Sequence, residues 1–198
     1  MVRRRPCGKL SFVLARRTLP ALTAACAALA ACGGQVRDQA PPTGQVAVAF
    51  KGSPPALASL HAQADQLLPG GAAALHSRLR ALRGYPVVIN KWASWCDPCQ
   101  SEFPVFQRVA VAYGRRVAFI GVDGKDTNAS AAAFLRRFPV TYPSYVDPRE
   151  RIARTINAAT YYPQTVFVAP SGAIDFVHTG PYEAVADLER DLNRYALR

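Results

Sequence analysis

The chain has 198 residues, of which 50% are hydrophobic and 19% charged, a composition typical of globular proteins that argues against disordered, collagen-like and coiled-coil classes. Its 24 basic and 13 acidic residues give a formal net charge of +11, but much of this excess lies before residue 18, where no acidic residue occurs. Because the other basic residues form no stripe with interleaved aromatics, we expect no nucleic-acid partner.

The first 31 residues have the pattern of a signal peptide. A basic stretch precedes an apolar run over residues 19–31 that ends in small residues. This run is shorter than the ~20 residues that a transmembrane helix needs. Residues 29–32, LAAC, resemble a bacterial lipobox, in which Cys32 is acylated after cleavage. Cleavage among the same alanines without lipidation, which would release a soluble protein, is the alternative.

The signal peptide divides the chain into three predicted parts. Residues 1–31 are the lipoprotein-type signal peptide, and residues 32–45, rich in Gly, Pro and Gln, form a flexible tether that begins at the lipidated Cys32. Residues 46–198 form the folded domain. We therefore expect an exported protein that is anchored to the membrane by lipid, with its domain outside the cytoplasm.

Hydrophobic periodicity predicts an α/β domain with a helical elaboration at its N-terminal end. The predicted helices cover residues 55–68, 72–82, 98–113, 129–138, 149–156 and 182–195. The predicted strands cover residues 85–92, 117–122, 165–168 and 174–178, and residues 143–148 are predicted to be a turn. The strand–helix–strand–helix order favours parallel pairing, and the last two strands form a hairpin. The result is a central mixed sheet flanked by helices.

Two of the five cysteines remain available for chemistry in the mature domain. Cys7 and Cys26 lie in the signal peptide, Cys32 would carry the lipid, and Cys96 and Cys99 form a Cys-x-x-Cys pair. A loop this short is a poor structural staple, and a zinc site would need two further ligands, whereas the three histidines are isolated from one another. We therefore favour a redox-active pair that uses no metal and no other cofactor.

Several motifs carry a resemblance to a known family. They are Asn90 with residues 92–99 (WASWCDPC), residues 102–104 (EFP), residues 142–144 (YPS) with the Asp-Pro at 147–148, and residues 162–165 (YPQT). From about Val46 to the C-terminus the chain resembles the membrane-anchored thioredoxin-like proteins of the TlpA and ResA type, which are thiol-disulfide oxidoreductases.

This resemblance implies a thioredoxin-like fold, a redox-active disulfide between Cys96 and Cys99, and a cis proline opposite the active cysteine. Tyr162 and Pro163 then form the substrate-binding pair, which pairs its backbone with an extended peptide. The chain departs from the family pattern at Lys91, where an aromatic residue is usual, and at Tyr162 and Gln164, where smaller residues are commoner.

The predicted strand–turn–helix context suits thiol chemistry. Cys96 lies at the N-terminus of a helix, where free N–H groups and the helix dipole favour its thiolate, so we assign it as the nucleophile. Cys99 lies one turn along and is the resolving thiol. Pro98 stiffens the turn, and Trp95 can shield the sulfurs from solvent, whereas we expect Trp92 to be a core residue.

Three charged residues are candidates for tuning this chemistry. Asp97 opposes the thiolate and predicts a protein that is reductant-like rather than strongly oxidising. Lys91 either points toward the site and offsets Asp97 or is a solvated residue at the strand end. Glu102 either relays a proton or is a surface charge that the helix dipole favours.

The leading hypothesis is a lipid-anchored extracytoplasmic thiol-disulfide oxidoreductase that reduces disulfides in exported proteins. The family analogy adds apocytochrome c as a client and a membrane thiol reductant as the electron donor. One alternative is a thiol peroxidase, which needs Thr or Ser three residues before its reactive cysteine, where this chain has Ala93. The others are a metal carrier that uses both cysteines and a non-catalytic lipoprotein whose N-terminal helices bind a partner.

Overall fold

Two parallel strand–helix units and an antiparallel hairpin meet in one sheet, and one of its central strands leads directly into the cysteine motif. The computed structural model describes residues 43–197. The helices are α1 (Thr43–Phe50), α2 (Pro55–His61), α3 (Gly71–Ala81), α4 (Asp97–Tyr113), α5 (Asn128–Arg137), α6 (Arg151–Thr155) and α7 (Val185–Tyr195). The strands are β1 (Leu67–Leu68), β2 (Val87–Trp92), β3 (Ala118–Gly124), β4 (Ser144–Asp147), β5 (Gln164–Val168) and β6 (Ile174–Thr179).

The sheet is mixed and has the order β1-β4-β3-β2-β5-β6. Strands β1, β4, β3 and β2 run parallel, whereas β5 is antiparallel to β2 and pairs with β6 in the predicted hairpin. The predicted α/β class and the central mixed sheet flanked by helices are therefore confirmed. Helix α3 and the two strand–helix units lie close to the positions that hydrophobic periodicity predicts.

Each face of the sheet carries its own hydrophobic cluster, because side chains alternate along a strand. From β2, Val88 and Trp92 enter the cluster that α4, α5 and α7 cover. Val87 and Ile89 enter the opposite cluster, which α2, α3 and α6 cover. Trp92 is fully buried and stacks on an aromatic side chain of α5, which confirms that it is a core residue.

Residues 143–148 were predicted to be a turn, and this prediction is wrong. Strand β4 occupies Ser144–Asp147 and pairs with β3 on one side and with β1 on the other. The two prolines that suggested a turn bracket this strand instead of interrupting it. A strand of four residues is too short to show a periodicity of its own, so its neighbours in the sheet decide its conformation.

Three element boundaries also differ from the prediction. The helix predicted over residues 55–68 ends at His61, and Leu67–Leu68 form β1, because they pair with β4 far along the chain. Helix α7 begins at Val185 instead of residue 182. Helix α1 begins at Thr43, so the last three residues of the predicted tether are helical.

The predictions for the signal peptide, for Cys32 and for the rest of the tether lie outside the described residues. Within residues 43–197, none of the helices is both long enough and apolar enough to cross a membrane.

Candidate active site

The two cysteines form a disulfide at the N-terminus of α4. Their sulfurs are 2.03 Å apart and their Cα atoms 5.2 Å apart. Cys96 is the N-cap residue of the helix, and its sulfur accepts a hydrogen bond from the backbone N–H of Cys99 at 3.1 Å. Of the two residues only Cys96 keeps exposed surface, at 4%, whereas Cys99 is fully buried. An incoming sulfur can therefore approach Cys96 but not Cys99.

The residues beside the cysteines form the solvent-facing rim of the site. Asp97 and Pro98 are exposed in the first turn of α4, where the carboxylate of Asp97 faces the positive end of the helix dipole. Trp95 is 54% exposed, and its indole N–H donates to the backbone carbonyl of Lys125 at 3.0 Å. Its ring packs on that of Tyr162 at 4.9 Å between centroids. Shielding of the sulfurs by Trp95 stays a prediction.

The turn that leads from β2 to Cys96 is held by an acidic residue that the sequence analysis missed. Asp126 accepts a hydrogen bond from the backbone N–H of Ser94 at 2.6 Å. Asp123 lies behind it, almost fully buried, opposite Trp92 in the β2–β3 register. Burial and the nearby charge of Asp126 raise the pKa of Asp123 to about 8. An acidic residue at the carboxyl end of a parallel strand was the signal that could have identified Asp123.

Glu102 is fully buried on the face of α4 that lies against the sheet, so the interpretation as a surface charge is wrong. Its Oε1 accepts a hydrogen bond from the Asn90 side-chain amide at 2.6 Å, and its Oε2 accepts one from the backbone N–H of Tyr182 at 3.2 Å. Burial raises the pKa of Glu102 to about 8, although the two donors oppose this rise. At neutral pH this side chain therefore holds a proton, next to the helix turn that carries Cys99.

Lys91 is fully buried, so the interpretation as a solvated residue at the strand end is wrong. Because side chains alternate along β2, Asn90 faces α4 whereas Lys91 faces the opposite side of the sheet. Its ammonium group pairs with Glu150 at 2.9 Å and donates to the backbone carbonyl of Tyr161 at 3.2 Å. Asp97 is not among these partners, so the geometry does not support the predicted offset of its charge.

Glu150 is the third residue of the site that the sequence did not reveal. It precedes α6, and its carboxylate also pairs with Lys125 at 3.0 Å and accepts a hydrogen bond from the Tyr162 hydroxyl at 2.8 Å. Burial by itself would raise the pKa of Glu150, but the bonds from two lysines and Tyr162 outweigh it and lower this pKa to about 2. No local pattern marks this residue, because its partners are far from it in the sequence.

The peptide bond between Tyr162 and Pro163 is cis, as the family resemblance implies. The β2–β5 register pairs Lys91 with Gln164, so Pro163 lies at the end of β2 from which the cysteine turn departs. The Gln164 side chain accepts a hydrogen bond from the backbone N–H of Tyr161 at 3.1 Å and closes this loop. The structure thus brings the predicted substrate-binding pair and the cysteine motif to the same edge of the sheet.

In the part of the chain that the structure describes, no group of three or more His, Cys, Asp or Glu side chains could hold a metal ion. Glu102 is held by a side-chain amide and a backbone N–H group, Asp126 bonds to a backbone N–H group, and Glu150 pairs with two lysines. The site thus contains a disulfide between Cys96 and Cys99 that can exchange electrons and a Glu102 carboxyl group that can exchange a proton.

Comparisons with known proteins agree with this geometry. The model of the AhpC/TSA family matches residues 64–177, more than half of the chain. The thioredoxin-like protein YneN of Bacillus subtilis (strain 168) is 28% identical over 107 residues, which is 52% of this chain and 62% of that protein. The thiol:disulfide interchange protein DsbE of Allochromatium vinosum is 36% identical over 105 residues, which is 52% of this chain and 56% of that protein.

A solved structure extends the likeness to the fold. The structure of DsbF from MTB, described in mixed oxidized and reduced forms, matches with a TM-score of 0.54 and 32% identity over 59% of this chain and 84% of that chain. The chain spans about six-tenths of the length of the curated relatives it matches. The chain belongs to the AhpC/TSA family, and it is similar to thioredoxin-like proteins of the ResA and DsbE type.

Proposed function

We propose that this protein is a thiol-disulfide oxidoreductase that reduces disulfides in exported proteins. The observation that carries the proposal is the Cys96–Cys99 disulfide at the N-cap of α4, with Cys99 buried behind Cys96. The names of the relatives support the same chemistry, since they are thiol-disulfide oxidoreductases and thiol:disulfide interchange proteins. The mixed oxidized and reduced forms described for DsbF are consistent with a disulfide that opens and closes.

The reaction begins from the reduced protein. The Cys96 thiolate attacks one sulfur of a client disulfide, which forms a mixed disulfide and releases the other client sulfur as a thiolate that takes up a proton. Cys99 then loses its proton and attacks the sulfur of Cys96. This step closes the Cys96–Cys99 disulfide and releases the second client sulfur. In total two electrons pass from the protein to the client. One of the two protons that the client gains comes from Cys99, and the other comes from solvent, to which Cys96 lost its proton when it ionised.

We propose that Glu102 serves as the proton relay of the second step. It follows Cys99 by three residues, which places both side chains on the same face of α4. Because its pKa of about 8 lies close to neutral pH, a minor ionised fraction of the carboxyl group is present there and can accept the Cys99 proton. Asn90 and the backbone N–H of Tyr182 hold the carboxyl group in place whichever state it is in.

Client recognition is proposed to use the loop of Tyr162 and Pro163. An extended client segment would pair its backbone beside the cis proline and present its sulfur to Cys96. Apocytochrome c is one client to test, because the family resemblance implies it. The protein must then be reduced again by a dithiol donor, and we propose that a membrane thiol reductant fills this role.

We also propose that the domain is exported and anchored by lipid at Cys32. This proposal is supported by the basic and apolar N-terminal segment and by residues 29–32, LAAC. In bacteria that express the full chain, a labelled fatty acid should become attached to the protein. The Cys32→Ser variant should lose the label and move from the membrane to the soluble fraction. A variant that still carries the label would contradict this assignment.

The central test compares the wild-type protein with the Cys96→Ser variant in an insulin-reduction assay with dithiothreitol as the electron donor. The wild-type protein should accelerate insulin precipitation, and the variant should not exceed the uncatalysed rate. The Cys99→Ser variant should accumulate a mixed disulfide with its client, whose identification names the client. Equal rates for wild type and Cys96→Ser would overturn the proposal.

The same preparations separate the remaining alternatives. A thiol peroxidase would consume peroxide at a rate that depends on Cys96, although the buried Ala93 supplies no hydroxyl group three residues before it. A metal carrier would bind copper or zinc with sub-micromolar affinity when reduced. A non-catalytic lipoprotein would show neither turnover nor a trapped client.

A further inference from the structure

Two of the three positions at which the chain departs from its family pattern, Lys91 and Tyr162, are in direct contact. The ammonium group of Lys91 lies over the ring of Tyr162, 3.7 Å from its centroid. The Tyr162 hydroxyl in turn donates to Glu150, which pairs with Lys91. Tyr162, next to the cis proline, is therefore held at its ring face by the buried Lys91 and at its hydroxyl by Glu150.

Four residues form this arrangement, which we call the Glu150 cluster: Lys91, Lys125, Glu150 and Tyr162. Oε1 of Glu150 accepts a hydrogen bond from the Tyr162 hydroxyl and pairs with the Lys91 ammonium group, and Oε2 pairs with the Lys125 ammonium group. Hydrogen bonds from charged donors are stronger than those from neutral donors. The two lysines therefore fix the position of the Glu150 carboxylate. Its low pKa, about 2, keeps it ionised at every physiological pH.

Two residues of the Glu150 cluster have an unusual backbone conformation. Glu150 and Lys125 both adopt a left-handed conformation with φ of 52°, which residues other than glycine rarely adopt. Both backbone N–H groups donate to the same carbonyl oxygen, that of Asp147, at 3.0 and 3.3 Å. Gly124 leaves the space for the Tyr162 ring, because a Cβ at that position would overlap the Tyr162 hydroxyl.

The cluster also reaches Trp95, the residue before Cys96. Lys125 pairs with Glu150 through its side chain, whereas its backbone carbonyl accepts the indole N–H of Trp95. Glu150 is thus linked to both aromatic residues that border the cysteine motif, Tyr162 directly and Trp95 through Lys125. The two rings touch at 4.9 Å between centroids, so the position of one constrains the other.

The resulting rim presents apolar surface to solvent. Trp95 is 54% and Tyr161 59% exposed, and among residues 43–197 the only other exposed large hydrophobic residue is Val48. Trp95 directly precedes Cys96, and Tyr161 directly precedes Tyr162 of the proposed substrate-binding pair. Exposed aromatic side chains of this kind are typical anchors of binding sites.

We infer that Glu150 is a positioning residue that sets client specificity: it holds Tyr162 and Trp95, which together with Tyr161 form an aromatic rim for an extended client segment with an apolar side chain next to its cysteine. This inference rests on the proposed function, since a client must first exchange with Cys96. Glu150 itself does not touch the reacting sulfurs. Its effect is therefore on the binding of large clients and not on the exchange step.

The test uses two substrates with the full chain in its reduced form. One is a disulfide-bridged peptide with Phe next to each cysteine, and the other is hydroxyethyl disulfide, which is too small to reach the rim. In Glu150→Gln, KM for the peptide should rise on the order of tenfold while kcat stays within about twofold. The rate with hydroxyethyl disulfide should not change. Replacing Phe by Ser in the peptide should raise KM for the wild-type protein but change it little for the variant.

Two further variants keep the test decisive. Glu150→Gln leaves a buried lysine with a neutral partner and can lower stability. Tyr162→Phe removes only the hydroxyl and leaves both ion pairs in place, so it should show a smaller rise in peptide KM, about threefold, and it decides the question if Glu150→Gln does not fold. Glu183→Gln makes the same chemical change at an exposed carboxylate and should behave as wild type.

The outcomes separate the two levels of the proposal. If the wild-type protein reduces neither substrate, the proposed function fails. If it reduces both and the folded variants match its peptide KM, only the inference about Glu150 is overturned. It is also overturned if the variants lose the same factor with both substrates, or if Glu183→Gln shows the same loss, since the effect would then not be one of client binding at the rim.

Discussion

At the scale of single residues, strand alternation assigns different roles to two neighbours. Asn90 faces α4 and binds Glu102 beneath the cysteine turn, whereas Lys91 faces the other side of the sheet and binds Glu150. The alternation of side chains along β2 could be predicted from the sequence. The partners that Asn90 and Lys91 bind could not, because Glu102 and Glu150 come from other parts of the chain. Glu102 was identified as a candidate from the sequence, and its burial emerged only from the packing of α4 on the sheet.

The raised pKa of Glu102 leads to a prediction about stability. Between pH 4.5 and about 8 the folded protein keeps the Glu102 proton that the unfolded chain releases, so the free energy of unfolding falls as pH rises. One such proton contributes a slope of at most about 1.4 kcal/mol per pH unit. Asp123 acts in the same direction. In Glu102→Gln, we expect the free energy of unfolding to fall about half as steeply with rising pH, as measured by urea unfolding at several pH values.

The comparison between the two proteins isolates Glu102, because every other titrating group is common to both. Glu183→Gln, at an exposed position, is the matched control and should reproduce the wild-type slope. A Glu102→Gln variant with an unchanged slope would mean that this carboxyl group is ionised in the folded protein near neutral pH.

At the scale of elements, close approach between strands explains a glycine in β3. A Cβ at Gly121 would overlap the hydroxyl oxygen of Ser144 and come within 2.9 Å of the indole nitrogen of Trp92. These two atoms form a hydrogen bond with each other at 3.1 Å, which joins β4 to the end of β2. The glycine therefore allows the strand that precedes the cysteine motif to be tied to its neighbours.

We expect Gly121→Ala to lower the free energy of unfolding by about 1–3 kcal/mol, because the added methyl group must displace Ser144 or Trp92. Urea unfolding followed by tryptophan fluorescence measures this change. Gly44→Ala is the control: that position has open space and lies in helix α1, so the substitution should leave stability unchanged or raise it slightly. Equal stability of Gly121→Ala and wild type would show that the sheet adjusts without cost.

At the scale of the whole molecule, two hydrophobic clusters hold the elements around the site together, and only one of them includes the two cysteines. One lies on the α4 face of the sheet and the other on the α3 face, and each draws residues from several elements. The bond between Cys96 and Cys99 closes only a very short loop. Its opening therefore leaves the connections between distant parts of the chain intact.

We expect reduction with dithiothreitol to lower the free energy of unfolding by about 2 kcal/mol or less, with unfolding still in one cooperative step. Urea unfolding of the oxidised and reduced protein at the same pH measures the difference. A Cys96→Ser/Cys99→Ser double variant, which has no disulfide to reduce, should show no effect of dithiothreitol. Loss of the folded state on reduction would instead identify the disulfide as a structural staple.

The α/β class, the strand–turn–helix around the cysteine motif and the hairpin that follows could be predicted from the amino-acid sequence, because these features depend on local hydrophobic periodicity and on turn residues. Three other features emerged only from the packing of the folded chain: residues 144–147 form a strand, Glu102 is buried, and Lys91 pairs with Glu150 against the Tyr162 ring. The physical reason is the same in each case. Strand pairing, burial and ion pairing depend on partners that are remote along the chain, and no local pattern of residues specifies them.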